Sequence, residues 1–537
     1  MANELEKLAG QYYDSGNWFE AEKLYMRILA SDNQNTVAMF RLAYINVGKL
    51  DYGMAEMLLD AALKVKPELE TIKLLAYVKE KLFKLYDAII MYEKVLELEP
   101  SEELYEIVGN LYISLELYDN AINITKDYVE KYHTIFAYRR LFLLYLNLYK
   151  KDELAELSKE IKENFPNKGL MFNLVGMYKE FIEKDYSEAQ ALYEKAVKMG
   201  VSTATFDLAQ CLKKTGRYDE AEKYCKKILN TYPNKNDVLN LLKEIAFLQR
   251  KTRKGYKFYL ERTLNKELQT LKNKWNGKEF KNKTLLVVSD IRGGGFIINL
   301  RYLSELQGKF EKVVFACNSE IKPLIHFNGI RVVDSNDVFK TEYDYYVLLS
   351  ELPYYLNKSY ENILPVKPYI KADKVELKDK KFKVGLSWKP SGDSFKVTHQ
   401  EAVDIPKYMS GLFDIEGVSY YSFQQNDIFN TILQFPQIKD VSQEIHNIEE
   451  CAKYIASMDM IISIDSEVLH LAGAMNKQAI ALIPFDSAWY WFNNDKKTEW
   501  YSSVEIAKQK NNDDWNEVAN LVVERVKEYN AKHQKVK

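Results

Sequence analysis

The chain has 537 residues, 47% hydrophobic and 28% charged, with 75 Lys and Arg against 77 Asp and Glu. Such a length holds about three or four domains, and a formal charge of −2 gives no bulk attraction to nucleic acid or to an anionic membrane. Cys211, Cys225, Cys317 and Cys451 are scattered without metal-type pairs or a disulfide framework. The start, Met1-Ala-Asn-Glu-Leu-Glu, lacks the basic and apolar regions of a signal peptide, and no apolar run approaches bilayer length. The expectation is a cytoplasmic protein without a membrane span, a metal or a cofactor.

From Met1 to about Arg250 the chain repeats itself every 32 to 34 residues. A small residue recurs at Ala21, Ala55, Ala88, Ala121, Ala155, Ala189 and Ala221. Around it stand phrases such as Tyr86-Asp-Ala88, Tyr186-Ser-Glu-Ala189 and Tyr218-Asp-Glu-Ala221. A bulky side chain follows about four residues on (Tyr25, Leu59, Tyr92, Tyr193), and a proline often closes the unit (Pro67, Pro100, Pro166, Pro233). Alanine lets two helices approach, the bulky residue fills the gap to the next pair, and proline stops the second helix. The pattern resembles the tetratricopeptide repeat. It predicts an α-solenoid of about seven repeats over residues 1–245, with a surface for a protein partner.

The helical period continues through a basic linker helix, placed at 246–281. After it come β-branched runs of the kind buried in parallel sheets. The first set is Lys283–Asp290, Lys312–Cys317, Ile330–Asp334 and Tyr343–Ser350. After Leu364-Pro-Val-Lys-Pro368 a second set follows: Phe382–Trp388, Val418–Phe423, Asp459–Ile464, Gln478–Pro484 and a weaker Ser503–Ala507. Helical segments between them predict two Rossmann-like α/β halves, 282–372 and 373–537, with a cleft between their strand carboxyl ends. A last helix, from Trp515 to about Asn530, is expected to pack back across the hinge.

The strongest local signal is Met460-Ile-Ile-Ser-Ile464 followed by Asp465-Ser466-Glu-Val-Leu-His470-Leu-Ala-Gly473. A strand ends at Asp465 and a helix opens at Ser466, so its free N–H groups suit a phosphate. Ser466 and His470, four apart, share a helix face. An ordinary capped helix with a packed histidine reads equally well from spacing alone.

The stretch Asp465–Gly473 resembles the Asp-Ser/Thr-x-x-x-His-Leu-Ala-Gly element of heptosyltransferase-like glycosyltransferases. From Trp275 to Val518 the chain resembles bacterial proteins that join tetratricopeptide repeats to such a domain, through Asn299-Leu-Arg-Tyr-Leu303, Lys383-Val-Gly-Leu-Ser-Trp388, Ser422-Phe-Gln424 and Trp489-Tyr-Trp491. The plan is also similar to that of O-linked N-acetylglucosamine transferases. The resemblance implies a GT-B fold, a nucleotide-sugar donor held mainly by the carboxyl-terminal half, and inverting, metal-independent transfer. It implies donor contacts from Gln424, Asp465, Ser466 and His470, and from Lys389 and Lys396 on the loop after Trp388. Trp489, Trp491, Trp500 and Trp515 are expected as core aromatics.

The first strand departs from the family. A Gly-Leu-Gly-Asp turn is expected, its aspartate being the base, but the chain reads Ser289-Asp290-Ile-Arg-Gly293-Gly294-Gly295, with Gly295 in the aspartate's place. Asp290 is the candidate base; a base from elsewhere and a loss of activity are the alternatives. Gly293, Gly294 and Gly295 fit close approach of backbone to the donor. The expectation is therefore transfer of a sugar to a Ser or Thr hydroxyl of a protein brought by the repeats. An inactive scaffold and a glycan or lipid-linked acceptor are the alternatives. The bacterial resemblance suggests a flagellar subunit or adhesin as partner, and repeat edges allow a homo-oligomer.

Overall fold

A computed structural model of the chain describes residues 2–536 apart from 234, 265, 364–367, 391–401, 426–429, 493, 495 and 512–513. The chain divides into two compact units, Met1–Leu146 with Lys150–Pro166, and Asn147–Tyr149 with Asn167–Lys537. The first holds five helix pairs: α1 (Ala2–Asp14) with α2 (Trp18–Ser31), α3 (Thr36–Gly48) with α4 (Tyr52–Val65), α5 (Leu69–Lys81) with α6 (Leu85–Leu98), α7 (Glu102–Ser114) with α8 (Tyr118–Tyr132), and α9 (Ile135–Asn147) with α10 (Lys151–Asn164). The second unit opens on three more: α11 (Gly169–Tyr178) with α12 (Tyr186–Lys198), α13 (Ser202–Lys214) with α14 (Tyr218–Thr231), and α15 (Asn236–Leu248) with α16 (Thr252–Glu261).

All eight pairs are built alike. One residue in the left-handed region stands two places before each second helix: Gly16, Leu50, Phe83, Glu116, Tyr149, Lys184, Gly216 and Arg250. It reverses the chain and ends the first helix. The fourth residue of the second helix is buried where the two helices touch: Ala21, Ala55, Ala88, Ala121, Ala189 and Ala221 have no exposed surface. The fifth pair corrects the sequence reading. Its fourth residue is the buried Leu154, and Ala155, expected as the small residue, faces solvent. In the sixth pair a π-turn, Lys179–Glu183, lengthens the first helix.

The expected linker helix over 246–281 is also corrected. Helix ends at Glu261, and α15 and α16 are an eighth pair whose fourth-position residue is Gly255. A Cβ there would lie 2.8 Å from the Phe247 ring, so the close approach that alanine gives elsewhere requires glycine here.

Two all-parallel sheets follow. The first has the order β3-β2-β1-β4 from β1 (Phe280–Val288), β2 (Phe310–Cys317), β3 (Ile330–Asp334) and β4 (Tyr345–Leu348). The second has the order β10-β9-β8-β5-β6-β7 from β5 (Phe382–Ser387), β6 (Val418–Ser422), β7 (Ile438–Asp440), β8 (Met460–Ile464), β9 (Ala479–Ile483) and β10 (Val504–Lys508). Every expected strand occurs; β7, with three residues, is too short to show a pattern. The longer helices of the α/β region are α17 (Gly293–Leu300), α18 (Ile448–Ser457), α19 (Glu467–Ala474) and α20 (Asn516–Val536). α20 stays with the second sheet, where Tyr529 reaches Glu505 and Asn530 donates to Glu416 O, and does not cross to the first. No helix among the described residues is long and apolar enough to cross a membrane.

Candidate functional site at the carboxyl ends of the strands

In the six-stranded sheet β5 and β8 are neighbours, and the chain runs outward from them in opposite directions, to β6 and β7 on one side and to β9 and β10 on the other. A sheet of this kind opens a crevice at the carboxyl ends of the two strands where the order reverses. Trp388 and Lys389 leave β5 there, and Asp465 and Ser466 leave β8.

The elements after β8 are tightly organised. Ser466 caps α19, its Oγ accepting from the Leu469 amide at 3.5 Å and lying 2.8 Å from Ser463 Oγ. His470 Nε2 lies 3.0 Å from Asp465 Oδ1, and His470 Nδ1 lies 3.0 Å from the Tyr501 hydroxyl. The other Asp465 oxygen accepts from Tyr490 OH at 2.7 Å and from Trp491 Nε1 at 3.0 Å. Burial alone would raise the Asp465 carboxyl, but the bonds from His470, Tyr490 and Trp491 outweigh it and hold the group below its usual value. Burial holds the Tyr501 hydroxyl well above its ordinary value. Gly473 belongs to the same packing, because a Cβ there would lie 2.4 Å from the Tyr501 ring.

This arrangement corrects one expectation. His470 has no exposed surface and both ring nitrogens are engaged, so it orients Asp465 and offers nothing to a ligand. Asp465 keeps one fifth of its side chain exposed, with both oxygens already bonded. Gln424, buried at the end of β6, also turns inward. Its Oε1 accepts from the Trp388 amide at 2.9 Å and the Lys389 amide at 2.7 Å, so it fixes the start of the loop after β5 and presents no acceptor for a base or ribose. Lys389 is half-buried. Lys396 lies outside the described residues.

The four-stranded sheet reverses between β1 and β4, and that crevice is filled from within. Asp290, at the end of β1, accepts from the Ser350 amide at 3.0 Å and the Ser350 hydroxyl at 2.6 Å, and pairs with the Arg262 guanidinium. Its side chain is 3% exposed. Asp290 is therefore no free base; it joins β1, β4 and the segment after α16. Gly293 and Gly295 have open space where a side chain would stand, whereas a Cβ on Gly294 would lie 2.3 Å from the His470 ring. Gly294 thus lets α17 pack on α19 and bring the carboxyl ends of β1 and β8 together.

Arg301, from the Asn299–Leu303 motif, joins the sheets a second time. Its guanidinium is buried among the rings of Tyr369, Trp500 and Tyr501 and donates to Trp500 O at 2.8 Å. Trp491, Trp500 and Trp515 are core residues as expected. Trp489 instead stacks on Phe247 of α15 with ring centroids 4.0 Å apart. Sequence spacing carried no sign of Arg262, Ser350 or Tyr501, because each meets its partner across 28 to 60 residues. Among the described residues no group of three His, Cys, Asp or Glu side chains could hold a metal ion.

A family profile described as tetratricopeptide repeat matches residues 180–245, the span from the π-turn into α15. Tetratricopeptide repeats are thus found in the chain, over α12 to α15. Several solved repeat proteins are similar to the chain. A tetratricopeptide repeat protein from Parabacteroides merdae ATCC 43184 is 18% identical, matching 45% of this chain and 97% of its own, with a TM-score of 0.31. YrrB, described as a TPR protein with an unusual peptide-binding site, is 16% identical over 33% of this chain and 92% of its own, with a TM-score of 0.26. Yeast Tom70 is 18% identical over 47% of this chain and 57% of its own, with a TM-score of 0.33. No curated protein matches the chain.

Proposed function

We propose that the α/β region is a GT-B-type pair that binds a nucleotide sugar at the carboxyl ends of β5 and β8. On this reading the protein is a cytoplasmic, inverting, metal-independent glycosyltransferase acting on a Ser or Thr hydroxyl of a polypeptide held by the tetratricopeptide repeats. The observation that carries the reading is the position of Lys389, Asp465 and Ser466 at the reversal point of the six-stranded sheet, where open parallel sheets take nucleotides. Gly293 and Gly295 have open space where a side chain would stand, on either side of the Gly294 that meets His470, and the start of α17 offers unpaired backbone N–H groups for a diphosphate. Lys389 supplies positive charge for the leaving group. The base that takes the acceptor proton is neither Asp290 nor Asp465, whose carboxylates are fully engaged.

A thermal-shift panel of UDP-N-acetylglucosamine, UDP-glucose and GDP-mannose tests the donor site, because a ligand that binds only the folded chain raises its apparent stability. A shift with one of them, diminished by Lys389→Ala, is the expected result; no shift with any of a full nucleotide-sugar series removes the reading. One observation favours a second reading, a binding scaffold without turnover: the engaged Asp290 beside a Gly295 that supplies no carboxylate. A bound donor that is never consumed in the presence of unfolded polypeptide acceptors selects it.

A further inference from the structure

The connection between β9 and β10 supplies two of the three groups that bond Asp465, and that connection rests on the repeats. Its Trp489 lies flat on Phe247 of α15, with centroids 4.0 Å apart and planes at 24°, and Gly255 of α16 leaves room for the Phe247 ring. Further back along the same connection, Asp486 pairs with Lys214 of α13 at 3.3 Å, and that ammonium also meets the buried Glu180 of the π-turn at 3.1 Å. The two residues after Trp489 are Tyr490 and Trp491, which donate to the same Asp465 oxygen. The path from repeat to carboxylate is therefore short: Phe247 to Trp489, one residue on to Tyr490 and two to Trp491, then Asp465, whose partner His470 packs against Gly294. The half-buried Trp489 ring is stacked on the fully buried Phe247 ring, which leaves it few alternative positions, so moving Phe247 moves the donors of Asp465.

We infer that the last two helix pairs are a built part of the candidate donor site, with Phe247 and Lys214 as positioning residues that set Asp465 through the Trp489–Trp491 turn. The consequence for a nucleotide sugar rests on the function proposed above; the positioning itself does not. The helices α11–α16 fall in one compact unit with the α/β region.

The experiment uses the full chain labelled with 15N. Each of the seven Trp gives one indole N–H signal, and Trp491→Phe identifies the one bonded to Asp465. Phe247→Leu keeps an apolar filler but removes the ring stack, and Asp486→Asn removes the ion pair from its exposed side. Both are expected to shift the Trp491 signal, and to weaken any nucleotide sugar found in the thermal panel by about tenfold. Leu59→Ala, a buried change in α4, is expected to lower Tm without moving that signal. An unmoved Trp491 in Phe247→Leu, with only Trp489 displaced, overturns the inference, as does an equal displacement in Leu59→Ala. If the unaltered chain binds no nucleotide sugar, the proposed function fails while the indole spectrum still decides the positioning claim.

Discussion

Arg262, one residue past the last repeat helix, forms a buried ion pair with Asp290 at the end of β1, and Ser350 at the end of β4 completes the cluster. The loop of the first strand is thus anchored to the end of the solenoid. Removing one partner of a buried pair leaves the other charge uncompensated and costs about 3–5 kcal/mol. Arg262→Ala is expected to lower the unfolding free energy read from urea melts by that order, because the Asp290 carboxylate it leaves behind is 3% exposed. Asp290→Ala costs less, because the guanidinium it leaves behind is 18% exposed and can hydrate, and the double variant should cost less than the sum of the singles. An Asp290→Ala protein of unchanged stability that had lost turnover would return Asp290 to the role of base.

Asp465 predicts a pH dependence. Its folded-state carboxyl lies below the ordinary value of 3.8, so the folded chain holds its proton less tightly than the unfolded one. The stabilisation this gives is complete above about pH 4 and is lost as pH falls toward the depressed folded value. Thermal unfolding between about pH 2 and 7 should therefore show a steeper acid loss in the unaltered chain than in Asp465→Asn. Parallel curves for the two would mean that the His470, Tyr490 and Trp491 bonds do not hold the ionised form.

The repeats were legible because their signal is local: a small residue, an aromatic and a proline at fixed offsets, all settled within one helix pair. The strands were legible for the same reason. What escaped was set by distance along the chain. Glycine announces the reversals at Gly16 and Gly216, but Leu50, Phe83, Glu116, Tyr149, Lys184 and Arg250 take the same left-handed turn with side chains that ordinarily avoid it, so an eighth pair reads as a linker. At the site, residue types indicated the strand that ends before Asp465 and the helix capped by Ser466. They could not reveal that His470 and Gln424 spend their polar atoms on their own chain, since a donor and an acceptor look alike in sequence whether they face solvent or a neighbour.

Gly294 and Gly295 are adjacent and should respond oppositely to the same change. A Cβ on Gly294 would lie 2.3 Å from the His470 ring, whereas one on Gly295 meets nothing within 4 Å. The His470 ring is held at both nitrogens and cannot yield cheaply, so Gly294→Ala is expected to cost about 1–3 kcal/mol and to loosen α17 from α19. Gly295→Ala lies in the first turn of α17 and should be neutral or stabilising by up to about 1 kcal/mol. Denaturant melts read both. If a donor diphosphate comes close to the backbone at this helix start, Gly295→Ala should weaken its binding while leaving Tm intact, which separates a site residue from a packing one.

The fifth helix pair offers a test of register. Every other second helix carries alanine or glycine at its fourth position, but α10 carries Leu154, fully buried, and turns Ala155 to solvent. A leucine at this point is bulkier than the alanine or glycine of the other pairs, and it is fully buried. Leu154→Ala would recreate the common sequence phrase yet leave a void, because close-packed helices collapse only in part; the expected cost is about 2–5 kcal/mol. Ala155→Leu, on the exposed face, should stay within about 0.5 kcal/mol of the unaltered chain. Were the repeat in register with Ala155 instead, the order would invert: Leu154→Ala would be mild, and Ala155→Leu would force a fourth carbon layer between α9 and α10 and unfold the pair.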